Sequence, residues 1–124
     1  MTTIAKGNTV MTLINVFTVA PENQQRLVDM LIDATEKVMK KLPGFVSANI
    51  HKSADGLRVV NYAQWRSRED FESMMKNPEA QAHIKPVTEI AQADAHIYEV
   101  AESVNVSGSE MPALQEHSLV RGLS

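Results

Sequence analysis

An early stretch of the chain, residues 10–19, most constrains the fold, because it is filled with β-branched and apolar residues and contains few helix formers. If it is a strand with a two-residue repeat, one face carries Met11, Leu13, Asn15, Phe17 and Val19. The other face carries Val10, Thr12, Ile14, Val16 and Thr18. Both faces are largely apolar, whereas a strand covered on one side alternates between apolar and polar residues. The pattern predicts that both faces are buried, one of them against a further layer such as a second sheet.

A long amphipathic helix is predicted next, over residues 22–42. Pro21 suits the start of this helix, where a missing N–H group leaves no hydrogen bond unmade. Apolar residues recur at helical spacing and form one stripe, at Leu27, Met30, Leu31, Ala34, Val38 and Leu42. Pro43 and Gly44 then end the helix. The stripe is predicted to cover one face of the sheet.

Two strands and a second helical region follow. Residues 45–52 and 57–66 are strand-like and flank a turn at 53–56, which predicts a hairpin. Ser67, followed by acidic residues, is typical of a helix start, and Asn77-Pro78 predicts an interruption. The remaining segments are predicted as a short helical turn at 79–84, a further helix at 86–93 and a last strand at 94–101.

This succession of elements predicts an α+β fold, a ferredoxin-like βαββαβ sandwich with helices on one face of the sheet. The apolar character of the other face predicts a two-fold symmetric homodimer, a dimeric α+β barrel. The predicted domain spans residues 1–102. Residues 103–124 show no period and are predicted to form a C-terminal tail that is flexible or wraps the partner subunit.

The composition excludes several classes of protein. A chain of 124 residues can bury the core of one domain. It contains no cysteine, which excludes thiolate nucleophiles, disulfides and cysteine-ligated metal sites, and its four histidines include no pair at metal-ligand spacing. A net charge of −3 with scattered basic residues argues against a nucleic-acid partner. With no signal peptide or membrane-spanning run recognised, a cytoplasmic location away from any membrane is expected.

One set of residues resembles a known family. These are Pro43 to Ala48, His51, Asp55-Gly56 and the stretch from Val59 to Trp65. They resemble the antibiotic biosynthesis monooxygenase family, and in particular the branch that oxidises anthrones and related polyketide rings without a cofactor. The order of elements agrees with that family from about Thr12 to Glu102. The resemblance implies a small aromatic substrate that reacts directly with O2 to give a quinone, with no cofactor and no metal.

The resemblance also implies which residues act. Asn61 and Trp65 take the positions of the branch's pocket asparagine and tryptophan, and period two independently places them on one face of a strand. An asparagine in an apolar row needs hydrogen-bond partners, which a ligand can supply. His51 matches a family histidine and is a candidate base or ligand anchor, since imidazole exchanges protons near neutral pH. Trp65 as a core residue remains an equal alternative.

Five further residues are candidates for the substrate pocket: Asn15, Phe17, Phe71, Met74 and His83. Asn15 either lines the same pocket as Asn61 or bridges backbone groups at a bulge. Phe71 stands where the branch has a tyrosine, and its side chain cannot supply a phenolic proton. Met74 either fills a gap in the core or forms a pliable pocket wall, and a surface position is the alternative for His83.

Two other functions fit the sequence. A haem-degrading branch of the same fold combines a first-strand asparagine with a helix tryptophan and a histidine, but here Met74 takes the approximate place of that tryptophan. A non-catalytic dimer that binds small molecules, or a stress-associated protein, is the second alternative, because the sequence contains no unmistakable nucleophile, metal ligand or phosphate-binding loop.

Overall fold

The computed structural model describes residues 1–106, in which four strands form one antiparallel sheet and the helices pack on one of its faces. The strands are β1 (Met11–Val19), β2 (Phe45–Lys52), β3 (Arg58–Trp65) and β4 (Ala91–Tyr98). The helices are α1 (Gln24–Lys37), α2 (Arg68–Lys76) and α3 (Pro78–Ile90). The strand order is β2-β3-β1-β4. These elements confirm the predicted α+β, ferredoxin-like fold.

The predicted helix 22–42 is shorter than expected. A 3₁₀ turn, Pro21–Asn23, precedes α1, and a second one, Met39–Lys41, follows it. Val38 separates α1 from the second turn because its backbone leaves the helical region, at φ −125° and ψ −63°. Gly44 then takes a φ of +84°, a conformation that glycine adopts without strain, and this reverses the chain into β2.

The region between β3 and β4 corrects two predictions. Asn77 ends α2 and caps α3, since its side-chain oxygen accepts hydrogen bonds from the N–H groups of Glu79 and Ala80, at 2.9 and 3.0 Å. The predicted interruption at Asn77-Pro78 is therefore confirmed. The two predicted pieces at 79–84 and 86–93 are instead one helix with Pro86 inside it. Pro86 is exposed, while buried residues on either side of it hold the helix on the core.

Strand β4 also begins earlier than the predicted 94–101. It starts at Ala91, directly after α3, and all eight of its residues pair with residues 12–19 of β1. Pairing with β1, which is rich in apolar and β-branched residues, thus outweighs the low strand propensity of the alanines at the start of β4.

Most of the buried apolar side chains form two clusters on the helix side of the sheet. The first is centred on Phe17, Val19, Leu27, Leu31, Val59 and Val87. The second is centred on Val38, Trp65, Met74 and Ala80. Each cluster joins strand residues to the apolar stripe of a helix, as the helical spacing predicted. The two clusters lie at opposite ends of β1 and β3, with Asn15 and Asn61 between them.

The opposite face of the sheet is covered in part by the N-terminal segment of the same chain. Thr3 exchanges two hydrogen bonds with the side chain of Gln64, from Gln64 Nε2 to Thr3 O at 2.7 Å and from Thr3 N to Gln64 Oε1 at 3.4 Å. Asn49 donates to Thr2 Oγ1 at 2.5 Å. Gln64 is consequently only 1% exposed. Ile14, Val16 and Val60 on the same face remain partly exposed.

Two further expectations concern the ends of the chain and the membrane. Of the predicted tail 103–124, residues 107–124 lie outside the described residues. None of the helices within residues 1–106 is both long enough and apolar enough to cross a membrane.

Candidate functional site

A pair of asparagines lies in the middle of the apolar, helix-covered face of the sheet. Asn15 of β1 and Asn61 of β3 are direct register partners, so their side chains lie on the same face. Along the strands, Leu13 and Ala63 flank the pair on one side, and Phe17 and Val59 flank it on the other. All four of these neighbours are buried. Two amides are thus placed within an apolar layer.

The side-chain oxygens of both asparagines are buried and lack a hydrogen-bond partner within residues 1–106. Leaving one such oxygen unpaired costs about 1–3 kcal/mol. Buried polar groups in native proteins are nearly always paired, so an adjacent pair of unsatisfied oxygens requires an explanation. Unpaired acceptors on two register partners are suited to a ligand that donates hydrogen bonds.

The surroundings of the pair are open on one side. Ile50 of β2 is the register partner of Asn61 and is partly buried. On the other side, Ala95 of β4 is the register partner of Asn15 and is exposed. Ala93 and Ile97, on the same face of β4, are also exposed. The exposed neighbours of the pair on this face therefore lie on β4, whereas the two asparagine oxygens themselves are buried.

Trp65 lies on the same face as Asn61, but it is packed into the core. Its ring meets Phe45 edge-on, at a centroid distance of 5.5 Å and an interplanar angle of 90°, and Phe71 at 6.4 Å and 62°. Trp65 is 3% exposed and belongs to the cluster that contains Met74. Four residues of strand separate it from Asn61, about 13 Å. A role for Trp65 in shielding substrate stays a prediction.

The structure does not bring His51 together with Asn61 and Trp65. His51 pairs with Val60, and residue 60 points to the face opposite to that of residue 61. The imidazole is exposed near the end of β2. A catalytic role for His51 toward a ligand held by Asn61 therefore finds no geometric support within one chain.

The other predicted pocket residues are divided between two regions. Phe17 is buried beside Asn15, while Phe71 and Met74 pack around Trp65. His83 lies on α3 next to α1, with Nδ1 3.1 Å from the carbonyl oxygen of Glu79 and Nε2 4.0 Å from an Asp33 oxygen. Of the five, only Asn15, the register partner of Asn61, and Phe17, two residues further along β1, lie next to Asn61 on the sheet.

Strong electrostatic effects lie away from the asparagines. The Arg66 guanidinium, at 2.8 Å, and the Ser67 hydroxyl, at 3.0 Å, bind Asp70 and hold the pKa of its carboxyl below the usual value. Hydrogen bonds from the Ser53 hydroxyl and the Leu57 N–H likewise lower the pKa of Asp55. In the described part of the chain, no three His, Asp or Glu side chains group as a metal site would require.

Sequence reasoning did not identify the exposed alanines of β4 as part of the site. Their signal is the alternation of alanine at positions 91, 93 and 95, since alanine is depleted in strands. Nor did it identify Gln64 as the anchor of the N-terminal segment, because nothing in the spacing of residues 1–10 indicates where that segment lies.

Comparison with known proteins supports this reading of the fold. The antibiotic biosynthesis monooxygenase family model matches residues 10–86. Tetracenomycin-F1 monooxygenase of Streptomyces glaucescens is 43% identical over 110 residues, which cover 89% of this chain and 98% of that protein. The crystal structure of a monooxygenase from the gene ActVA-Orf6 of Streptomyces coelicolor, in complex with nanaomycin D, is 25% identical, with a TM-score of 0.72 and coverage of 80% and 94%.

A second solved structure shares the fold. SnoaB, a cofactor-independent oxygenase from Streptomyces nogalater, is 19% identical, with a TM-score of 0.66, and the match covers 80% of this chain and 100% of that one. Together, the family model and the 43% identical relative show that this chain belongs to the antibiotic biosynthesis monooxygenase family.

Proposed function

We propose that the protein is a cofactor-independent monooxygenase that oxidises a phenolic or anthrone-like aromatic substrate with O2 to a quinone. The observation that carries the proposal is the Asn15–Asn61 pair, whose buried side-chain oxygens find no protein partner among the described residues. The names of its relatives support the same chemistry, because they include a tetracenomycin-F1 monooxygenase and a cofactor-independent oxygenase.

The reaction needs few groups from the protein. A phenol or anthrone loses a proton, and the electron-rich anion transfers electrons to O2 to form a peroxide at the reacting carbon. Loss of water from this peroxide leaves one oxygen atom in the new carbonyl and the other in water. The substrate supplies the electrons, so that the protein has to bind the ring, favour its anion and exclude water.

The asparagine pair can perform the first two of these tasks. An asparagine amide accepts a hydrogen bond from a phenol through Oδ1 and donates one to a phenolate oxygen through Nδ2. Such fixed dipoles stabilise developing charge more strongly in an apolar site than in water. The buried neighbours Leu13, Phe17, Val59 and Ala63 provide that apolar environment. Asn61 and Asn15 are therefore the proposed substrate-binding and catalytic residues.

Oxygen uptake with an anthrone, in the presence of a metal chelator, tests the proposal. Asn61→Ala is expected to lower kcat about 10²–10³-fold, the effect of removing one electrostatic catalyst. Asn49→Ala is the matched control, because Asn49 is an asparagine on the other face of the sheet that bonds to Thr2 and to the Tyr62 carbonyl. If the protein binds the anthrone without consuming oxygen, the non-catalytic binding function replaces this proposal.

The proposal includes a homodimer formed through the face opposite the helices. Ile14, Val16, Val60 and Tyr62 lie at the centre of that face and are partly exposed, while the N-terminal segment covers the Gln64 end. A central apolar patch of this kind suits a two-fold contact between copies. Sedimentation equilibrium should show a dimer that Val60→Asp dissociates. Ile32→Asp, which changes an exposed isoleucine of α1, should leave it intact.

The proposed domain boundary after residue 102 rests on contacts between the two ends of the described chain. Lys6 lies 3.7 Å from the Glu102 carboxylate, and the Ser103 hydroxyl lies 3.5 Å from the Ile4 carbonyl oxygen. These contacts support a domain that includes the N-terminal segment and closes near Glu102. The cytoplasmic location stays a prediction.

A further inference from the structure

Residues 1–9, which we call the N-terminal strap, fold back onto the face of the sheet opposite the helices. Gly7 takes a φ of +81° where the strap turns. The Asn8 side chain closes this turn, because it donates to the Thr3 carbonyl oxygen at 2.9 Å and accepts from the Val10 N–H at 3.2 Å. The strap is therefore held in one shape by the chain itself, which lowers the entropy cost of docking a partner on it.

Gln64 anchors the strap to the sheet. A side-chain amide offers both a donor and an acceptor, so it can pair with the N–H and C=O groups of one residue as a neighbouring strand would. Gln64 pairs in this way with Thr3 and is 1% exposed. Its register partners Thr12 and Ser47 are buried as well. The strap thus covers the polar end of this face.

The outer side of the strap is apolar. Met1 is fully exposed and Ile4 is 53% exposed. The chain beyond Glu102 runs beside them, since the Ser103 hydroxyl lies 3.5 Å from the Ile4 carbonyl oxygen. More than half of the large apolar side chains that are exposed within residues 1–106 lie at this end: Met1, Ile4, Tyr98, Val104 and Val106. Exposed apolar side chains that lie together mark an interaction surface.

The size of the open face indicates what the strap adds. A stable interface uses about 20–30 residues from each partner. The four strands place about 15 side chains on this face, because only alternate side chains of a strand point to it. The strap and the residues beside it supply the contacts that the strands lack.

The shape and charge of the face fit a second copy of the chain. The strap stands above one end of the sheet, and the apolar residues Val16 and Val60 lie lower, at its centre. Two copies related by a two-fold axis across the strands fit together, because the raised end of each then lies beyond the centre of the other. Lys6 lies 3.7 Å from the Glu102 carboxylate, so the strap brings no unpaired side-chain charge into the contact.

We infer that the N-terminal strap is part of the contact with a second copy, with Ile4 against the partner subunit and Gln64 as the positioning residue that holds the strap in place. The inference rests on the proposed homodimer and adds the segment that completes its interface. It assigns a function to the buried Gln64 amide, which has no place in the proposed oxidation.

Ile4→Asp is the first test, because it places a charge on the outer side of the strap. In sedimentation equilibrium, the Kd of the dimer should rise about tenfold or more. Ile32→Asp is the matched control, since Ile32 is also an exposed isoleucine but lies on α1. It should leave the dimer Kd unchanged.

Gln64→Met tests the anchor, because it removes the amide and keeps a side chain of similar length. The dimer Kd should again rise about tenfold. Once the strap is released, a charge at residue 4 has little left to disrupt, so the effects of Gln64→Met and Ile4→Asp should not add in the double variant. Additive effects would mean that Gln64 acts on the sheet and not through the strap.

A thiol at residue 4 reports the contact directly. The chain contains no cysteine, so Ile4→Cys carries its only thiol. This thiol should react with a maleimide severalfold more slowly above the dimer Kd than below it, whereas Ile32→Cys should react equally fast at both concentrations.

The outcomes separate this inference from the proposed function. If the protein dimerises but the Ile4→Cys thiol reacts equally fast at both concentrations, or Ile4→Asp leaves Kd unchanged, the strap lies outside the contact and the inference is overturned, while the proposed homodimer stands. A protein that stays monomeric at every concentration overturns both. Oxygen uptake by the wild-type protein decides the proposed oxidation independently of these results.

Discussion

Two regions on the helix side of the sheet differ sharply, although both contain residues that the sequence marks as functional. Around Trp65, aromatic and apolar side chains of β1, β2, α2 and α3 pack together, and Trp65 is 3% exposed. Around Asn15 and Asn61, two buried oxygens lack partners in the described chain, and the neighbouring side chains of β4 are exposed. The first region has the features of a core, whereas the second has those of a binding site.

The difference shows that a shared face of a strand does not imply a shared role. Asn61 and Trp65 are four residues apart on β3 and point the same way. The helices decide what each residue meets: Phe71 and Met74 of α2 pack over Trp65, and no described side chain satisfies Asn61. Stability and activity should therefore respond in opposite ways to changes in the two regions.

The largest expected effect is on the packed region. Trp65→Ala removes the ring that Phe45, Phe71 and Met74 contact. It should lower the free energy of unfolding by about 3–5 kcal/mol, the usual result of truncating a buried tryptophan. Urea unfolding followed by circular dichroism measures the change, because the variant lacks the only tryptophan of the chain.

Trp65→Phe tests whether the comparison holds for activity. If Trp65 acts only through packing, this variant should lose part of its stability but keep most of its oxygen uptake with an anthrone, measured where it is fully folded. A stable Trp65→Phe that loses as much activity as Asn61→Ala would show that the indole contacts substrate and would break the distinction between the two regions.

A smaller effect of opposite sign is expected at the asparagine pair. Asn61→Leu replaces an unsatisfied amide with an apolar group of similar shape, and the buried neighbours Val59 and Ala63 are apolar as well. It should raise the free energy of unfolding by about 1–2 kcal/mol while abolishing oxygen uptake, since the desolvation penalty of the oxygen disappears. Urea unfolding and an oxygen electrode give the two results.

Asn49→Leu is the control for the expected rise in the free energy of unfolding. Asn49 donates to Thr2 Oγ1 and, at 3.0 Å, to the carbonyl oxygen of Tyr62. Its replacement should lower stability because those two oxygens lose a donor. If both leucine variants destabilise the protein by the same amount, the side-chain oxygen of Asn61 has a hydrogen-bond partner in solution. The argument that this oxygen is free to bind a ligand then fails.

The fold could be predicted from the sequence because it depends on repeating patterns. The period of two in residues 10–19 and the apolar stripe of α1 each recur over many residues, and both appear in the structure. The errors occurred where tertiary contacts outweighed local signals. The sequence predicts a helix break before Pro86, but Ala80 and Val87 are buried and hold α3 on the core as one helix. It also predicts a strand from residue 94, because alanines are weak strand formers, whereas β4 begins at Ala91.

The candidate site could be predicted only in part. Asn15 and Asn61 stand out because each is a polar residue among apolar residues at every second position of one strand. That alternation is visible in the sequence. Their direct pairing depends on the register of β1 with β3, and the exposure of Ala95 depends on where the helices lie. His51 shows the same limit: only the register with Val60 places its side chain on the opposite face from Asn61.

The smallest expected effect concerns the ion pair between Asp70 and Arg66, which follows Trp65 in the chain. Asp70 binds Arg66 and Ser67, and a Cβ atom on Gly44 would clash with its carboxyl. The pKa of Asp70 is lowered in the folded state, mainly by the hydrogen bond from Arg66. The stability that Asp70 contributes is therefore present above the unfolded-state pKa, about 4, and is lost as the pH falls through the lower folded-state pKa.

Asp70→Asn should unfold at a lower urea concentration than the wild-type protein at pH 7, and this difference in urea midpoint should shrink below about pH 4. Arg66→Gln should remove most of the same pH-dependent part, because it removes the main cause of the shift. A difference between Asp70→Asn and the wild-type protein that is unchanged from pH 7 to about pH 2.5 would mean that Asp70 acts by packing against Gly44 rather than by its charge.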